Sequence, residues 1–206
     1  RHSIKYHIMK LLLKLKHWQL FLLLMVIPIL FQIGMFAAVF ISNDPLMMFS
    51  LFPIVMILFM GIFFGWFYAL GTHLHKKLPD TVHMNLRLFK ILLFIPVAYM
   101  SLFMVFMINM FNGIIGGGEP NVAIFMLIFP LHLFSMFCIF YCLYFNAKSL
   151  KSVELQKPVT FNDFAGEFFL IWFFPVGIWF LQPRINKLFE ETQQNDLSVS
   201  DTNLPL

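Results

Sequence analysis

Four long apolar runs constrain this chain more than any other feature. They cover about Trp18–Ile41, Leu46–Gly71, Leu88–Ile108 and Val122–Phe145, and Lys90 is the one Asp, Glu, Lys or Arg inside them. About 20 apolar residues suffice for a helix to cross a hydrocarbon core roughly 30 Å thick. A bilayer offers backbone polar groups no partner, so such runs cross as helices. Composition agrees: 60% of the 206 residues are hydrophobic and 12% are charged, with 29 Phe and 14 Met. Soluble domains carry roughly 25% charged residues. A core of this chain length could not hide so much apolar surface. The sequence therefore predicts an all-α integral membrane protein with four transmembrane helices, and the lipid bilayer as its first partner.

A fifth apolar run behaves differently. Its uncharged part, Phe168–Leu181, is only 14 residues long, and it contains Pro175 and Gly177. Runs of about 10–14 residues suggest re-entrant or interfacial segments. Thr160 followed by Asp163 resembles a capping box that would start a helix near Phe161. Pro175 removes a donor and disfavours helical geometry at Phe174, while Gly177 permits an unusual turn. We expect a helix over 161–174, a break at Pro175–Gly177, and a second short helix towards Leu188. In that C-terminal hairpin Glu167 and Arg184 would lie at similar depth and could pair. The alternative is a tilted fifth transmembrane helix kinked at Pro175, since proline is tolerated in membrane helices.

The distribution of basic residues favours the hairpin. Twelve of the 14 Lys and Arg fall in the N-terminus, the 72–90 loop and the 146–163 segment, whereas the turns at 42–45 and 109–121 have none. The positive-inside rule makes the basic face cytoplasmic. The other two, Arg184 and Lys187, obey it only if the fifth run turns back. The chain is thus expected in a cell (inner) membrane, multi-pass, with both termini cytoplasmic. The expected organisation is a basic amphipathic segment at 1–17, a four-helix region at 18–145 and a cytoplasmic linker at 146–160. The hairpin follows at 161–189, then a polar tail at 190–206. As a helix, 1–17 would place Ile4, Ile8, Leu11 and Leu15 on one stripe facing the anionic leaflet. The run after Trp18 is too long for a signal-peptide core.

Few residues offer chemistry. His132 lies near the middle of the fourth span, where ionisable groups are functional candidates. On a helix it shares a face with Ser135, Cys138, Cys142 and Asn146, a polar stripe that could line a path or pack against a neighbouring helix. The two cysteines suggest no disulfide framework. His73, His75 and His83, with Asp80, have metal-ligand types but match no zinc motif, so they are weak metal candidates. Gly61 and Gly65 form a GxxxG, which favours close helix packing within the chain or in a dimer. Each apolar run also holds one proline: Pro28, Pro53, Pro96, Pro130 and Pro175. GIIGGGEP lacks the Lys-Ser/Thr of a phosphate loop. No HExxH, GxSxG or buried acidic pair is present, which disfavours an enzyme, and no cofactor is implied. The basic residues are too few and too scattered for a nucleic-acid surface.

The segment VTFNDFAGEFFLIWFFPVGIWFLQPRINKLF, over residues 159–189, resembles the C-terminal element of uncharacterised small integral membrane proteins of Bacteroidota. The TF-x-D-F start, GEFF, WFFP-x-GIW and QPRIN carry the likeness, and 11 Lys against three Arg suit a low-GC genome. The resemblance implies no activity, substrate or cofactor. It does imply that Pro175, Gly177, Gln182, Pro183, Arg184 and Asn186 act as one unit with Glu167. Small size, the GxxxG and the absence of a soluble domain point to a non-enzymatic accessory or scaffold subunit. Its expected partner is another membrane protein, or further copies of itself. Two alternatives are an oligomeric channel or transporter lined by the fourth helix and the Pro175–Gly177 break, and a membrane-embedded lipid-modifying enzyme.

Overall fold

The computed structural model describes residues 11–42, 46–118 and 122–202, and every described element is a helix. The protein is an all-α, multi-pass membrane protein. Four helical stretches are long and apolar enough to cross a bilayer: His17–Ile41, Phe52–His75, Leu86–Gly113 and Met126–Leu155. The first comprises α1 (His17–Phe21), a π-helical turn (Leu22–Val26) and α2 (Ile27–Ser42). Then come α3 (Leu46–His75), α4 (Leu86–Ile115) and α5 (Val122–Leu155). The chain ends in α6 (Phe161–Trp172) and α7 (Phe174–Thr202).

Prolines disturb these helices at two points. Pro28 has no N–H, and its ring crowds the carbonyl of Leu24. The ladder widens just before it, and Ile27 N–H bonds to Leu22 O, five residues back. At Pro53, Pro96 and Pro130 the helices run on. At Phe173 the backbone leaves helical geometry (φ −87°, ψ 53°), and α7 starts at Phe174. The break thus falls two residues before the expected one. Pro175 sits in the first turn of α7, where its missing N–H would have had no helical partner anyway. Gly177 makes no unusual turn; the described glycine with positive φ is Gly117. It serves close approach instead. A Cβ there would overlap the Leu170 carbonyl oxygen and lie 2.5 Å from its carbon. Two helices that approach so closely on either side of Phe173 fold back on each other as a helical hairpin.

The hairpin tip fixes how far it reaches. The Phe174 ring lies 5.0 Å from that of Phe63 and 6.2 Å from that of Phe59. Those residues stand about 18–24 Å along α3 from His75, at 1.5 Å per residue. α6 has 12 residues, about 18 Å in length, shorter than a roughly 30 Å hydrocarbon core. The returning helix then meets the end of the bundle that holds the α3–α4 loop. Lys77 Nζ donates to Leu188 O, and the same ammonium stands 4.1 Å from the Phe189 ring centroid.

Two expected segments fold differently. Most of the 146–160 linker continues α5, which ends where Gln156 takes a left-handed conformation (φ 51°). Lys148 and Lys151 suggested a loop, but Asn146, Ala147, Ser149, Leu150, Ser152 and Val153 are all buried. The charges sit on the remaining face of a helix. The polar tail likewise continues α7, to Thr202. At the N-terminus Ile4 and Ile8 lie outside the described residues. Helix over 11–14 stops at Leu15–Lys16, and Lys16 is extended (ψ 153°). Leu11 of the expected stripe is exposed and Leu13 is buried, because this segment packs on the bundle rather than running as one helix.

The buried core gathers at this loop-bearing end: Leu13, Leu20 and Leu24; Trp66–Leu74 of α3; Phe89 of α4; Cys142–Val153 of α5; and Ile178, Leu181 and Ile185 of α7. The GxxxG does not mark a tight contact within the chain. A Cβ on Gly61 meets nothing within 4 Å, and one on Gly65 makes an ordinary 3.5 Å contact with Leu12. The close approach of α3 is at Gly71, where a Cβ would lie 2.5 Å from the Phe89 ring and 2.7 Å from Asn146 Oδ1.

Candidate functional site

The QPRIN residues converge with the N-terminus and α5. When helix stops at Leu15–Lys16, the carbonyls of Leu13 and Leu15 lose their helical donors. Gln182, 0% exposed on α7, takes that place. Its amide nitrogen lies 3.2 Å from Leu13 O, 2.9 Å from Leu15 O and 3.1 Å from Asn186 Oδ1, sharing two hydrogens among them. Its oxygen accepts from Trp66 Nε1 of α3 at 3.2 Å. Asn186, one turn on, donates to Leu15 O at 3.2 Å. Two amides therefore tie the N-terminal segment, α3 and α7 together. Pro183 lies between them inside α7.

On the other face of α7, Arg184 holds two acids. Its Nε and Nη2 donate to Glu154 Oε1 and Oε2 at 2.8 and 2.5 Å, a bidentate pair, and Nη2 donates to Glu167 Oε1 at 2.7 Å. Lys151 Nζ donates to the same Glu167 oxygen at 3.1 Å. Two cations and two carboxylates balance. They join α5 to both arms of the hairpin. Glu154 and Lys151 could not be placed here from sequence, because their segment read as a linker. The signal that would have found them is the small and apolar spacing of Asn146, Ser149, Leu150, Ser152 and Val153, a helical period.

The electrostatics follow. Burial pushes the Glu167 carboxyl up, but hydrogen bonds from Arg184 and Lys151 outweigh it and hold it below the usual range. Glu154 first, then Glu167, keeps the Arg184 guanidinium charged. Asp163 accepts from Thr160 N and Oγ1 at 2.8 Å each, which lowers its own value. A carboxylate lowered on folding stabilises the fold above its unfolded value, near 4.3. That contribution is lost as pH falls through the folded value. We therefore expect hairpin stability to be flat from neutral pH to about 5 and to fall below about 4.3. Glu167→Gln should flatten part of that acid limb. Tryptophan fluorescence of Trp172 and Trp179 during acid titration measures it, and an unchanged limb in the variant would refute the assignment to Glu167.

The stripe on α5 divides. Ser135, Cys138, Cys142 and Asn146 are buried, and Ser149 and Ser152 extend the same seam. Both cysteines are free thiols. Asn146 Nδ2 donates to Phe67 O at 3.4 Å, tying α5 to α3. His132 lies at the far end, exposed, with Tyr99 Oη 3.2 Å from its Nδ1. Gly177 lies against Leu170 and Phe174 against Phe63, so the hairpin break and His132 have different neighbours. The loop histidines diverge as well. His73 Nδ1 donates to Ala69 O at 2.8 Å, and His75 Nε2 donates to Met84 O at 2.9 Å. His83 lines an open recess of about 470 Å³ with His75, Val82, Met84 and Asn85. Among the described residues, no three His, Cys, Asp or Glu side chains are grouped to hold a metal ion.

Kinship adds nothing to this geometry: no protein-family model matches the chain, and no curated protein or solved structure does either.

Proposed function

We propose that this protein is a non-enzymatic scaffold subunit of a cell (inner) membrane, with its N-terminus cytoplasmic and its hairpin re-entrant from that face. The carrying observation is how its polar residues are spent. Gln182, Asn186, Arg184, Glu154 and Glu167 all bond within the chain and brace the loop-bearing end. The opposite halves of α2, α4 and α5 pack on their neighbours along one side and leave many apolar side chains exposed on the other. Leu30, Leu102 and Met126 are exposed there. A braced base beneath helices with exposed apolar faces suits a protein that receives other membrane helices. The re-entrant reading is supported by the depth of Phe174 and by Trp172, Phe173, Val176 and Phe180, which are exposed around the tip. It also returns Arg184 and Lys187 to the basic face, in keeping with the positive-inside rule.

Photo-crosslinking in native membranes tests the role. A photoreactive residue at Leu30, Leu102 or Met126 should give discrete adducts with other proteins, identified by mass. Lipid adducts alone at all three positions would sink the scaffold reading.

A further inference from the structure

The pair Tyr99–His132 stands apart from the brace. His132 is ten residues from the start of α5 at Val122, about 15 Å along the axis. That places it near the centre of a roughly 30 Å core. Its ring is exposed, and among the described residues its recorded polar partner is Tyr99 Oη, 3.2 Å from Nδ1, with the ring centroids 5.7 Å apart. Two exposed polar side chains of α4, Ser101 and Asn109, satisfy themselves on their own helix. Ser101 Oγ donates to Val97 O and Asn109 Nδ2 to Val105 O, each at 2.8 Å. The Tyr99–His132 pair cannot do so. When the Tyr99 hydroxyl donates to Nδ1, the imidazole carries its proton on Nε2. One donor, Nε2–H, and one acceptor, the Tyr99 oxygen, are then presented side by side. Leu102, one turn on from Tyr99, and Phe129 and Met136, one turn to either side of His132, are exposed. Hydrocarbon satisfies neither group.

A donor set beside an acceptor is self-complementary about a two-fold axis. We infer that a second copy of this chain docks on the α4–α5 face. His132 Nε2–H of each copy donates to the Tyr99 oxygen of the other, closing a four-member ring of hydrogen bonds. The surrounding apolar side chains then pack helix on helix. This inference rests on the scaffold reading of the exposed apolar faces and names the occupant of one of them.

The test is self-association of the full chain in detergent, read by Förster transfer between labelled copies as detergent is diluted. Wild-type protein should form a reversible dimer. His132→Leu and Tyr99→Phe should each raise its dissociation constant roughly tenfold, since either removes both bonds across the axis. The double variant should be no weaker than either single one. Leu30→Ala, on α2, should leave dimerisation unchanged. A dimer indifferent to both variants would overturn the inference. So would a monodisperse monomer at all dilutions; if such a monomer still gave protein adducts in membranes, the scaffold reading would stand. A His132-dependent dimer that gives adducts only with itself would have the opposite meaning.

Discussion

Gly177→Ala should be the most damaging single-methyl change in the hairpin, lowering the midpoint of thermal unfolding in detergent by roughly 10 °C. The new Cβ would overlap the Leu170 carbonyl oxygen and stand 2.5 Å from its carbon. A flexible side chain could swing aside, but this neighbour is backbone in the last turn of α6. Relief requires opening the crossing of α6 and α7. Overpacking costs typically 1–3 kcal/mol, and more where backbone must move. Opening the crossing also pulls Glu167 away from Arg184 and Phe174 away from Phe63. Gly166→Ala is the internal control, because a Cβ there meets nothing within 4 Å. That variant should be neutral or gain up to about 1 kcal/mol from helix propensity. Equal midpoints for the two variants would mean that the helices do not cross at Gly177.

Gln182→Leu should release the N-terminal segment while leaving the four spans folded. The substitution matches volume and hydrophobicity, so packing losses are small. It removes the partner of Trp66 Nε1 and strips Leu13 O of its Gln182 donor. Leu15 O keeps only Asn186. A buried polar group left without a partner costs about 1–3 kcal/mol. Two such groups favour local opening by a factor of ten or more. Lys14 and Lys16 are exposed beside the clamp, so trypsin reads the opening directly. Cleavage there should accelerate at least tenfold in Gln182→Leu. Asn186→Ala should have a smaller effect, because Gln182 still reaches Leu15 O. Unchanged cleavage in both variants would show that the amides do not hold this segment.

Both predictions depend on residues that stood out in the sequence for reasons the fold revised. Pro175 and Gly177 marked a break, but the break lies at Phe173. The proline starts the next helix and the glycine makes room for a carbonyl. The GxxxG at Gly61 and Gly65 promised a close contact that lies instead at Gly71, where the sequence shows an ordinary Leu-Gly-Thr. A glycine motif reports permission for helices to approach; which neighbour arrives depends on how the helices are arranged. Glu154 escaped notice because charge near an apolar run suggests a loop, whereas a helix can leave the membrane and keep one buried face.

The sequence by itself determined the membrane class, the four spans and the shortness of the fifth apolar run. These follow from hydrocarbon thickness and the need to satisfy backbone hydrogen bonds, which act on each segment locally. Tertiary structure alone decided what the polar residues do. Gln182 is 167 residues from Leu15 in sequence and 2.9 Å from its carbonyl. Arg184 reaches Glu154 across 30 residues. Such pairings have no period and no local propensity. They arise only when packing brings a broken helix end and a buried amide to the same place.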